Sequence, residues 1–262
     1  VLRRLLCLAL PGLAAAATLS LETLRWSRPD AQCMDGSPSG YYWQPARTRA
    51  SGLIWIVYLE AGGWCNSKES CEERCALAPA LCSSRNWDAQ LHLHGIFSDE
   101  GDNALAAANK VYVRYCTSDA HMGDATAFGF QFRGERVVRA VLDDLVLRRG
   151  LGRGAERETL IFGGASAGAR GAMVHLDYVS AMLGASAAAN VAIFGFLDSP
   201  VWLDVPPLNT SFEGFANMTE AVFGFANVSH LGTRCEEAYG PEQELWKCIF
   251  GEFRLPLVQT RY

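Results

Sequence analysis

The segment Gly164-Ala165-Ser166-Ala167-Gly168 has the residue types of a serine nucleophile on a sharp turn. It follows a strand-forming run at 158–163 and precedes a helix-forming run, so its G-x-S-x-G pattern falls on a strand-to-helix turn. Such a turn exposes the hydroxyl, and its two glycines leave room where a Cβ would clash. The free N–H groups of the following helix stabilise an oxyanion that forms there. The pattern therefore predicts Ser166 as a catalytic nucleophile.

A pair of glycines follows another strand-forming run in LEAGGWC, residues 59–65. Glycines let the backbone approach a substrate, and a loop in this position commonly supplies an oxyanion hole. We therefore expect the backbone N–H groups of Gly63, Trp64 and Ala167 to be the oxyanion donors. The structural alternative is a tight turn held by a disulfide at Cys65. Both can hold together, because a disulfide beside the loop would keep its N–H groups fixed.

A serine nucleophile also needs a general base, which after Ser166 is expected to be a histidine that follows an acid in the chain. His175 lies within the helix-forming run and is interpreted as a packed or surface residue. His230 adjoins a glycosylation sequon, and we place it in a surface loop. The remaining histidines precede the serine and would need a different order of the triad residues along the chain: His92, His94 and His121. The HLH pair, His92 and His94, is interpreted as surface polar residues rather than a metal site.

The acids after the serine give no clear partner either. Asp198 ends a strand-forming run and is a candidate orienting carboxylate, whereas Asp177 and Asp204 are interpreted as structural or exposed. The pattern thus predicts a nucleophile and an oxyanion hole, and it assigns neither the base nor the acid.

The elements that position these residues follow from the apolar pattern. Strands buried on both faces are predicted by continuous apolar runs at 53–60, 110–116, 158–163 and 191–198, with a weaker run at 254–260 that contains Pro256. Helices are predicted at 134–150, ending at Gly150, and at 167–183. On the first helix, one face carries Val137, Val141, Leu145 and Leu147. Residues 33–46 are predicted as turns. We expect an α/β fold with a mostly parallel sheet and helices on both faces.

The start of the chain predicts a signal peptide over residues 1–17, with two arginines, a short apolar run and small residues before the expected cleavage. The apolar run is too short for a transmembrane segment. Residues 18–262 are expected to form one domain, because 262 residues with 50% hydrophobic content can bury one core and no linker divides them. The net charge of -5 gives no reason to expect nucleic acid as a partner.

Eight of the nine cysteines follow the predicted signal peptide, and an even number in a secreted chain predicts disulfides. Spacing alone leaves the pairing open. No cysteine or histidine spacing fits a zinc site, so we expect no metal. Three sequons predict a glycosylated surface loop, at Asn209, Asn217 and Asn227.

Several motifs, in order from Cys33 to Tyr262, resemble the pectin acetylesterase and Notum family of secreted carboxylesterases: CMDGSPSGYYW, YLEAGGWCNSKESC, GIFS, VYVRYCTSDAHMGD, FRGERVVRAVLDDL, GGASAGARG, FLDSPVWLDV and RCEEAYGPEQELWKC. The resemblance implies an α/β-hydrolase-like fold and an acyl-enzyme on Ser166, without cofactor or metal. It implies an oxyanion hole of Gly63, Trp64 and Ala167. It also implies four disulfide pairs: Cys33 with Cys116, Cys65 with Cys71, Cys235 with Cys248, and Cys75 with Cys82.

The family pattern differs from this chain in two ways. The family usually has Ser-Ala-Gly-Gly at the turn, where this chain has Ala169 in the last position; the extra methyl is either harmless or narrows the packing of the helix on the sheet. In the family, the catalytic acid follows a strand that ends in Tyr-Asp, and the histidine comes much later. This chain ends in PLVQTRY. We therefore expect an incomplete C-terminal part, with the triad acid and histidine outside these residues, and a chain that is inactive or nearly so. The resemblance also favours Asp198 as a residue of the pocket floor.

The expected function is that of a secreted, extracellular or cell-wall esterase acting on an acylated polysaccharide or a lipidated protein. The alternative is a catalytically dead secreted glycoprotein that binds a glycan or another ligand on the same scaffold. Trp64, Trp87 and Trp202 are interpreted as core or pocket-wall residues, with stacking on sugar as the alternative.

Overall fold

The structure is a computed structural model that describes residues 16–24, 28–100, 102–208 and 212–262. Its strands are β1 Ala17–Thr23, β2 Gly40–Gln44, β3 Ile54–Leu59, β4 Gln90–Leu93, β5 Asn109–Val113, β6 Ala125–Ala127, β7 Phe130–Phe132, β8 Glu158–Ala165 and β9 Val191–Asp198. Its α-helices are α1 Lys68–Leu77, α2 Gly134–Asp144, α3 Ala167–His175, α4 Val179–Leu183, α5 Ala185–Ala188, α6 Phe215–Ala226, α7 Thr233–Tyr239 and α8 Gly251–Arg254. The predicted signal peptide lies outside the described residues except for Ala16 and Ala17, and Ala17 begins β1.

One sheet carries the site. Within the described residues it has seven strands in the order β4-β1-β2-β5-β3-β8-β9. Strands β5, β3, β8 and β9 are mutually parallel, and they are the four strands predicted from continuous apolar runs. The α/β class is therefore confirmed. Leu59 pairs with Gly164, and Ala165 pairs with Asp198, so the carboxyl ends of β3, β8 and β9 meet at one edge.

Strand β3 is apolar on both faces because each face contacts a different core. Strand β9 instead exposes Phe194 and Phe196, so the prediction that it is buried on both faces is wrong. On β3, Trp55, Val57 and Leu59 belong to the core that contains α2 and α4. Ile56, on the opposite face, packs in a second core with Phe97. Full burial of a side chain of this size contributes roughly 1.5–3 kcal/mol, so the two cores hold the centre of the sheet rigidly under the site.

Both predicted helices form, with local departures. Helix α2 continues as a wider π-helical turn over Leu145–Arg149 and ends at Gly150, as predicted. Leu147 is 68% exposed, so the prediction that it shares the buried face is wrong. The wider turn rotates the side chains away from the 3.6-residue period. The second predicted helix is divided into α3 and α4 by a 3-10 turn at Leu176–Tyr178.

Three segments differ from their predicted structure. Residues 33–46 were expected to form turns, yet they include β2, which together with β1 and β4 extends the sheet in antiparallel fashion. The strand predicted at 254–260 is wrong: α8 ends there, and a 3-10 turn follows at Leu255–Leu257 with Pro256 in its first turn. The segment carrying the sequons is largely helix α6 rather than a loop; Asn217 and Asn227 are exposed, and Asn209 lies outside the described residues.

The structure has the four disulfides that the family resemblance implied. They join Cys33 to Cys116, Cys65 to Cys71, Cys75 to Cys82, and Cys235 to Cys248. The short Cys65–Cys71 bond ties the loop after β3 to helix α1, next to Trp64. This bond therefore restrains the loop that is predicted to contribute to an oxyanion hole.

Candidate active site

Ser166 occupies the turn between β8 and α3 with φ 50° and ψ -116°. A non-glycine residue seldom has a positive φ, and strained residues of this kind are concentrated at functional sites. The backbone N–H of Ser166 donates to the carbonyl oxygen of Asp198 over 2.9 Å, so the end of β9 holds the turn in place. The serine is thus presented at the carboxyl edge of the sheet in the geometry of a nucleophile elbow.

The two glycines of the turn lie where no other side chain fits. A Cβ on Gly168 would stand 2.0 Å from the carbonyl oxygen of Leu59, and one on Gly164 would stand 2.5 Å from the carbonyl carbon of Gly168. Contacts this short do not occur between non-bonded atoms, so both positions require glycine. Helix α3 therefore packs directly against the end of β3 and brings Ser166 close to the loop that follows it.

That loop is held by bonds to its carbonyl groups. Tyr115 donates its hydroxyl to the carbonyl oxygen of Gly63 over 2.8 Å, and Arg74 donates to the carbonyl oxygen of Gly62. Gly63 itself has a φ of 68°, which a glycine adopts without cost. The N–H of Cys65 donates to Ser118. These contacts fix the peptide planes on either side of Trp64.

Three backbone N–H groups remain available beside the serine. Across the described residues, the N–H groups of Gly63, Trp64 and Ala167 donate no hydrogen bond. All three residues line the same cavity as Ser166. Buried or half-buried amides are normally bonded, so the free N–H groups of Trp64 and Ala167 are suited to an anionic oxygen of a ligand, whereas Gly63 is exposed and its N–H is also open to solvent.

The cavity has a volume of about 320 Å³ and mostly apolar walls, with four aromatic residues among the ten that line it. Its floor is the serine turn, and its walls come from the glycine loop, from the segment after β9 and from α6. Its lining residues are Gly63, Trp64, Ala120, Ser166, Ala167, Arg170, Trp202, Phe212, Phe215 and Met218. Trp64 and Trp202 are wall residues, as one of the two interpretations predicted. Trp87 lies elsewhere and donates its indole N–H to the carbonyl oxygen of Ala80.

Three histidines form a buried chain of contacts away from the serine hydroxyl. His121 bonds through Nε2 to the carbonyl oxygen of Glu60 at 2.9 Å, and His175 bonds through Nε2 to the carbonyl oxygen of His121 at 2.7 Å. A carbonyl only accepts, so both Nε2 atoms carry the proton. His230 contacts His175 between their Nδ1 atoms at 2.8 Å. The prediction that His230 lies in a surface loop is wrong, because the residue is 7% exposed.

Burial also keeps these imidazoles neutral. It lowers the pKa of His121 to about 4 and that of His175 to about 3. In the part of the chain that the structure describes, the hydroxyl of Ser166 makes no hydrogen bond to any of them. His92 lies at the sheet edge against the hydroxyl of Thr18, and His94 lines a separate cavity. The contacts shown for the described histidines are therefore with groups other than the serine hydroxyl.

The acids considered as partners have other contacts. The carboxylate of Asp198 accepts from Ser199 and lines a neighbouring cavity of about 390 Å³ rather than the Ser166 cavity, so its assignment to the pocket floor is wrong. Asp177 is structural: it accepts from the buried Arg254 and from the N–H groups of Gln259 and Thr260. Asp204 is exposed.

Sequence reasoning missed Arg170, which lies one helical turn after Ser166 and lines the cavity. Its position four residues beyond the serine on a predicted helix was the available signal, because such residues share a helix face. Over the described ranges, no group of three or more histidine, cysteine or acidic residues is arranged to hold a metal ion. No helix in those ranges has both the length and the apolar character needed to cross a membrane.

The parallel sheet, the strained serine turn and the glycine loop at the same edge define an α/β-hydrolase-like protein. The chain belongs to the pectinacetylesterase family, whose sequence model matches residues 14–262.

Its curated relatives include "Palmitoleoyl-protein carboxylesterase notum2" of Xenopus laevis, 34% identical over 228 residues that cover 84% of this chain and 45% of that protein. "Palmitoleoyl-protein carboxylesterase NOTUM" of Homo sapiens is 28% identical over 233 residues, which cover 84% of this chain and 45% of that protein. The chain spans about half the length of the curated relatives it matches.

The fold matches a solved structure of the Wnt deacylase Notum from Drosophila with a TM-score of 0.82 at 26% identity. The match covers 94% of this chain and 69% of that one. The expectation of a pectin acetylesterase and Notum family member is therefore confirmed.

Proposed function

We propose that the chain provides the nucleophile and the oxyanion hole of a secreted serine carboxylesterase. The observation that supports this most directly is the convergence of Ser166 and the free N–H groups of Gly63, Trp64 and Ala167 on one cavity. In this mechanism the hydroxyl oxygen of Ser166 attacks the ester carbonyl, and the three N–H groups stabilise the resulting oxyanion. Collapse breaks the ester C–O bond, the proton lost by the serine is taken up by the leaving alkoxide, and an acyl-enzyme remains. Water then hydrolyses the acyl-enzyme, which releases the acid and restores the serine hydroxyl.

The general base is the part of this mechanism that the described residues leave unassigned. His121 and His175 donate their Nε2 protons to backbone carbonyl oxygens, and burial lowers the pKa of both imidazoles. We infer that residues 1–262 alone react slowly, because removal of triad members commonly costs about 10⁴-fold or more in rate. A residual rate from the oxyanion hole is still expected, and it should depend on Ser166.

The substrate is proposed to be an acylated polysaccharide or a lipidated protein. The family name points to acetyl esters of pectin, whereas the names of the curated relatives point to a palmitoleoyl group on a protein. A short acyl group would occupy little of the aromatic cavity, whereas a long apolar chain would contact the aromatic walls extensively. Rates across acyl chain lengths therefore distinguish the two classes. The four disulfides and the exposed sequons at Asn217 and Asn227 support an extracellular location.

The experiment uses 4-nitrophenyl esters of acetate, butyrate, octanoate and palmitate with residues 1–262. Three proteins are compared: the parent chain, Ser166→Ala, and a Ser186→Ala control whose exposed serine lies on α5. We expect slow hydrolysis that is lost in Ser166→Ala and kept in Ser186→Ala, with an acyl adduct on Ser166 detected by mass spectrometry. Enzyme-like rates that depend on Ser166 would overturn the inferred lack of a base. Hydrolysis that survives in Ser166→Ala would overturn the assignment of Ser166 as the nucleophile.

The second candidate is a secreted binding protein on a dead hydrolase scaffold. It is favoured by one observation: the three buried histidines are all committed to contacts other than Ser166. This candidate predicts that ester analogues bind in the cavity with equal affinity in the parent chain and in Ser166→Ala, without any acyl adduct. Appearance of the adduct excludes it.

A further inference from the structure

Arg170 is a buried cation in the wall of the Ser166 cavity. It is only 2% exposed and lies one turn along α3, where its backbone N–H donates to the carbonyl oxygen of Ser166 over 3.0 Å. Residues four apart on a helix lie on the same face, so the long side chain starts beside the nucleophile. Arg170 therefore lines the Ser166 cavity with a side chain that is almost wholly buried.

Two indole rings hold the guanidinium. Its central carbon lies 3.9 Å from the ring centroid of Trp64 and 3.9 Å from that of Trp202. Both tryptophans also line the cavity. Stacking against the ring faces stabilises the positive charge but leaves the N–H donors, which lie in the guanidinium plane, without hydrogen bonds. The rings thus fix the orientation of a cation whose hydrogen-bonding capacity is largely unused.

The donors of Arg170 are almost entirely unpaired. Its one hydrogen bond in the described chain runs from Nη1 to the hydroxyl of Thr219 and is long, at 3.5 Å. Nε and Nη2 are buried without a partner, and no carboxylate among the described residues forms an ion pair with this side chain. Burial lowers the pKa of Arg170 to about 9. By contrast Arg254, which is fully buried, has Asp177 as its counterion at 3.1 Å.

An unpaired buried cation is costly, and an unpaired polar group at a cavity requires an explanation. The guanidinium fork matches a carboxylate better than any other common group, and such charge-assisted bonds are strong. Trp64 supplies both one wall of the guanidinium site and one of the free N–H groups beside Ser166. A ligand anion on Arg170 would therefore be held beside the reacting serine.

We propose that Arg170, held between Trp64 and Trp202, is a carboxylate-binding site within the Ser166 cavity. The carboxylate is either that of the acid released when the ester is hydrolysed, or that of a uronic acid unit of a glycan on the alcohol part of the ester. Binding requires only the cavity, whereas an effect on substrate choice rests on the proposed esterase function.

The test measures binding without turnover, in the full 262-residue chain carrying Ser166→Ala. The probes form two pairs that differ in charge: hexanoate with hexanamide, and glucuronate with glucose. Calorimetry gives the affinity, and quenching of tryptophan fluorescence gives a second readout, since two indoles flank the guanidinium. Preferential binding of hexanoate identifies the released acid as the ligand, and preferential binding of glucuronate identifies the uronic acid unit of a glycan. Because Ser166 is absent, failure of the esterase proposal would leave this result unaffected.

We expect one carboxylate to bind about 10- to 100-fold more tightly than its neutral partner, and this preference to disappear in Arg170→Met. Arg170→Lys keeps the positive charge without the guanidinium fork, so it should retain part of the preference for the carboxylate. The control is Arg49→Met, whose side chain is 92% exposed and lies away from the cavity.

Equal affinity for charged and neutral probes would overturn the proposal and leave a guanidinium held only by the two indoles. So would an unchanged preference in Arg170→Met. Thermal melts check that the variants fold. If Arg170→Met does not fold, the probe pairs on the parent chain and the Arg170→Lys variant decide the question.

Discussion

Gly168 lies against the main chain of Leu59, so closely that a Cβ on Gly168 would stand 2.0 Å from the carbonyl oxygen of Leu59. Because main-chain atoms on both sides belong to a helix and a buried strand, neither can move independently. We predict that Gly168→Ala lowers the free energy of unfolding by about 1–3 kcal/mol or more, the usual cost of overpacking. Urea unfolding measures this loss. The Gly168→Ala substitution should also reduce labelling of Ser166 by a fluorophosphonate, because α3 carries the serine turn.

The matched control is Gly224→Ala. Gly224 is also a helical glycine, within α6, but a Cβ there meets nothing within 4 Å. Alanine is the better helix former, so this change should stabilise the protein by about 0.5–1 kcal/mol. If the two variants were equally stable, the close contact between α3 and the end of β3 would be wrong.

The serine turn could be predicted from sequence because its determinants are local. Strand, glycines, serine and helix are contiguous, and β8 through α3 forms as expected. Arg170 could not be assigned a role in this way, since its contacts come from Trp202 and Thr219, which are distant in the chain. The buried state of His230 was likewise missed, because it depends on packing against His175 and Tyr178.

The misplaced strand at 254–260 shows the same limit. An apolar run is compatible with several structures, and here tertiary contacts decide. Arg254 is buried on Asp177, and the N–H groups of Gln259 and Thr260 bond to the same carboxylate. Those bonds hold the segment against the 3-10 turn that follows α3, so the segment does not form the predicted strand.

Removing the carboxylate of Asp177 should lower the free energy of unfolding substantially. Asp177→Ala leaves the guanidinium of Arg254 buried without a counterion and frees two backbone N–H groups. We predict a loss of about 3–5 kcal/mol in the free energy of unfolding, the cost of breaking a buried ion pair from one side. The double variant Asp177→Ala with Arg254→Met should recover part of this loss, because it removes the unpaired charge. Denaturant unfolding of all three proteins measures both effects.

The exposed Asp204 provides the control. Asp204→Ala should change the free energy of unfolding by no more than about 0.5 kcal/mol, as for most surface substitutions. A loss in Asp177→Ala no greater than this would mean that the carboxylate does not hold the C-terminal segment.

The disulfides should differ in their contribution to stability. Cys33 and Cys116 are 83 residues apart, whereas Cys65 and Cys71 are 6 apart. The chain-entropy model assigns about 4.5 kcal/mol to the first bond and about 2 kcal/mol to the second. Replacing each pair by alanines should reproduce this order in chemical unfolding. All four cysteines are buried, so the packing lost per pair is similar and each pair is the control for the other. Equal losses would contradict the entropic explanation.

The buried histidines make a prediction about acid. Burial lowers the pKa of His175 to about 3, whereas an unfolded histidine titrates near 6.5. The folded state therefore favours the neutral ring: its contribution to stability is complete above pH 6.5 and is lost as the pH falls towards 3. At pH 5 the loss amounts to about 2 kcal/mol for this residue.

In His175→Gln, which keeps a donor for the carbonyl of His121, the fall in the free energy of unfolding between pH 7 and pH 5 should shrink by that amount. Urea unfolding at both pH values measures it, and long-range ¹H–¹⁵N spectra at pH 5 should show a neutral His175 ring in the parent protein. A protonated ring at pH 5, or an identical pH dependence in the variant, would show that His175 is not held neutral by burial.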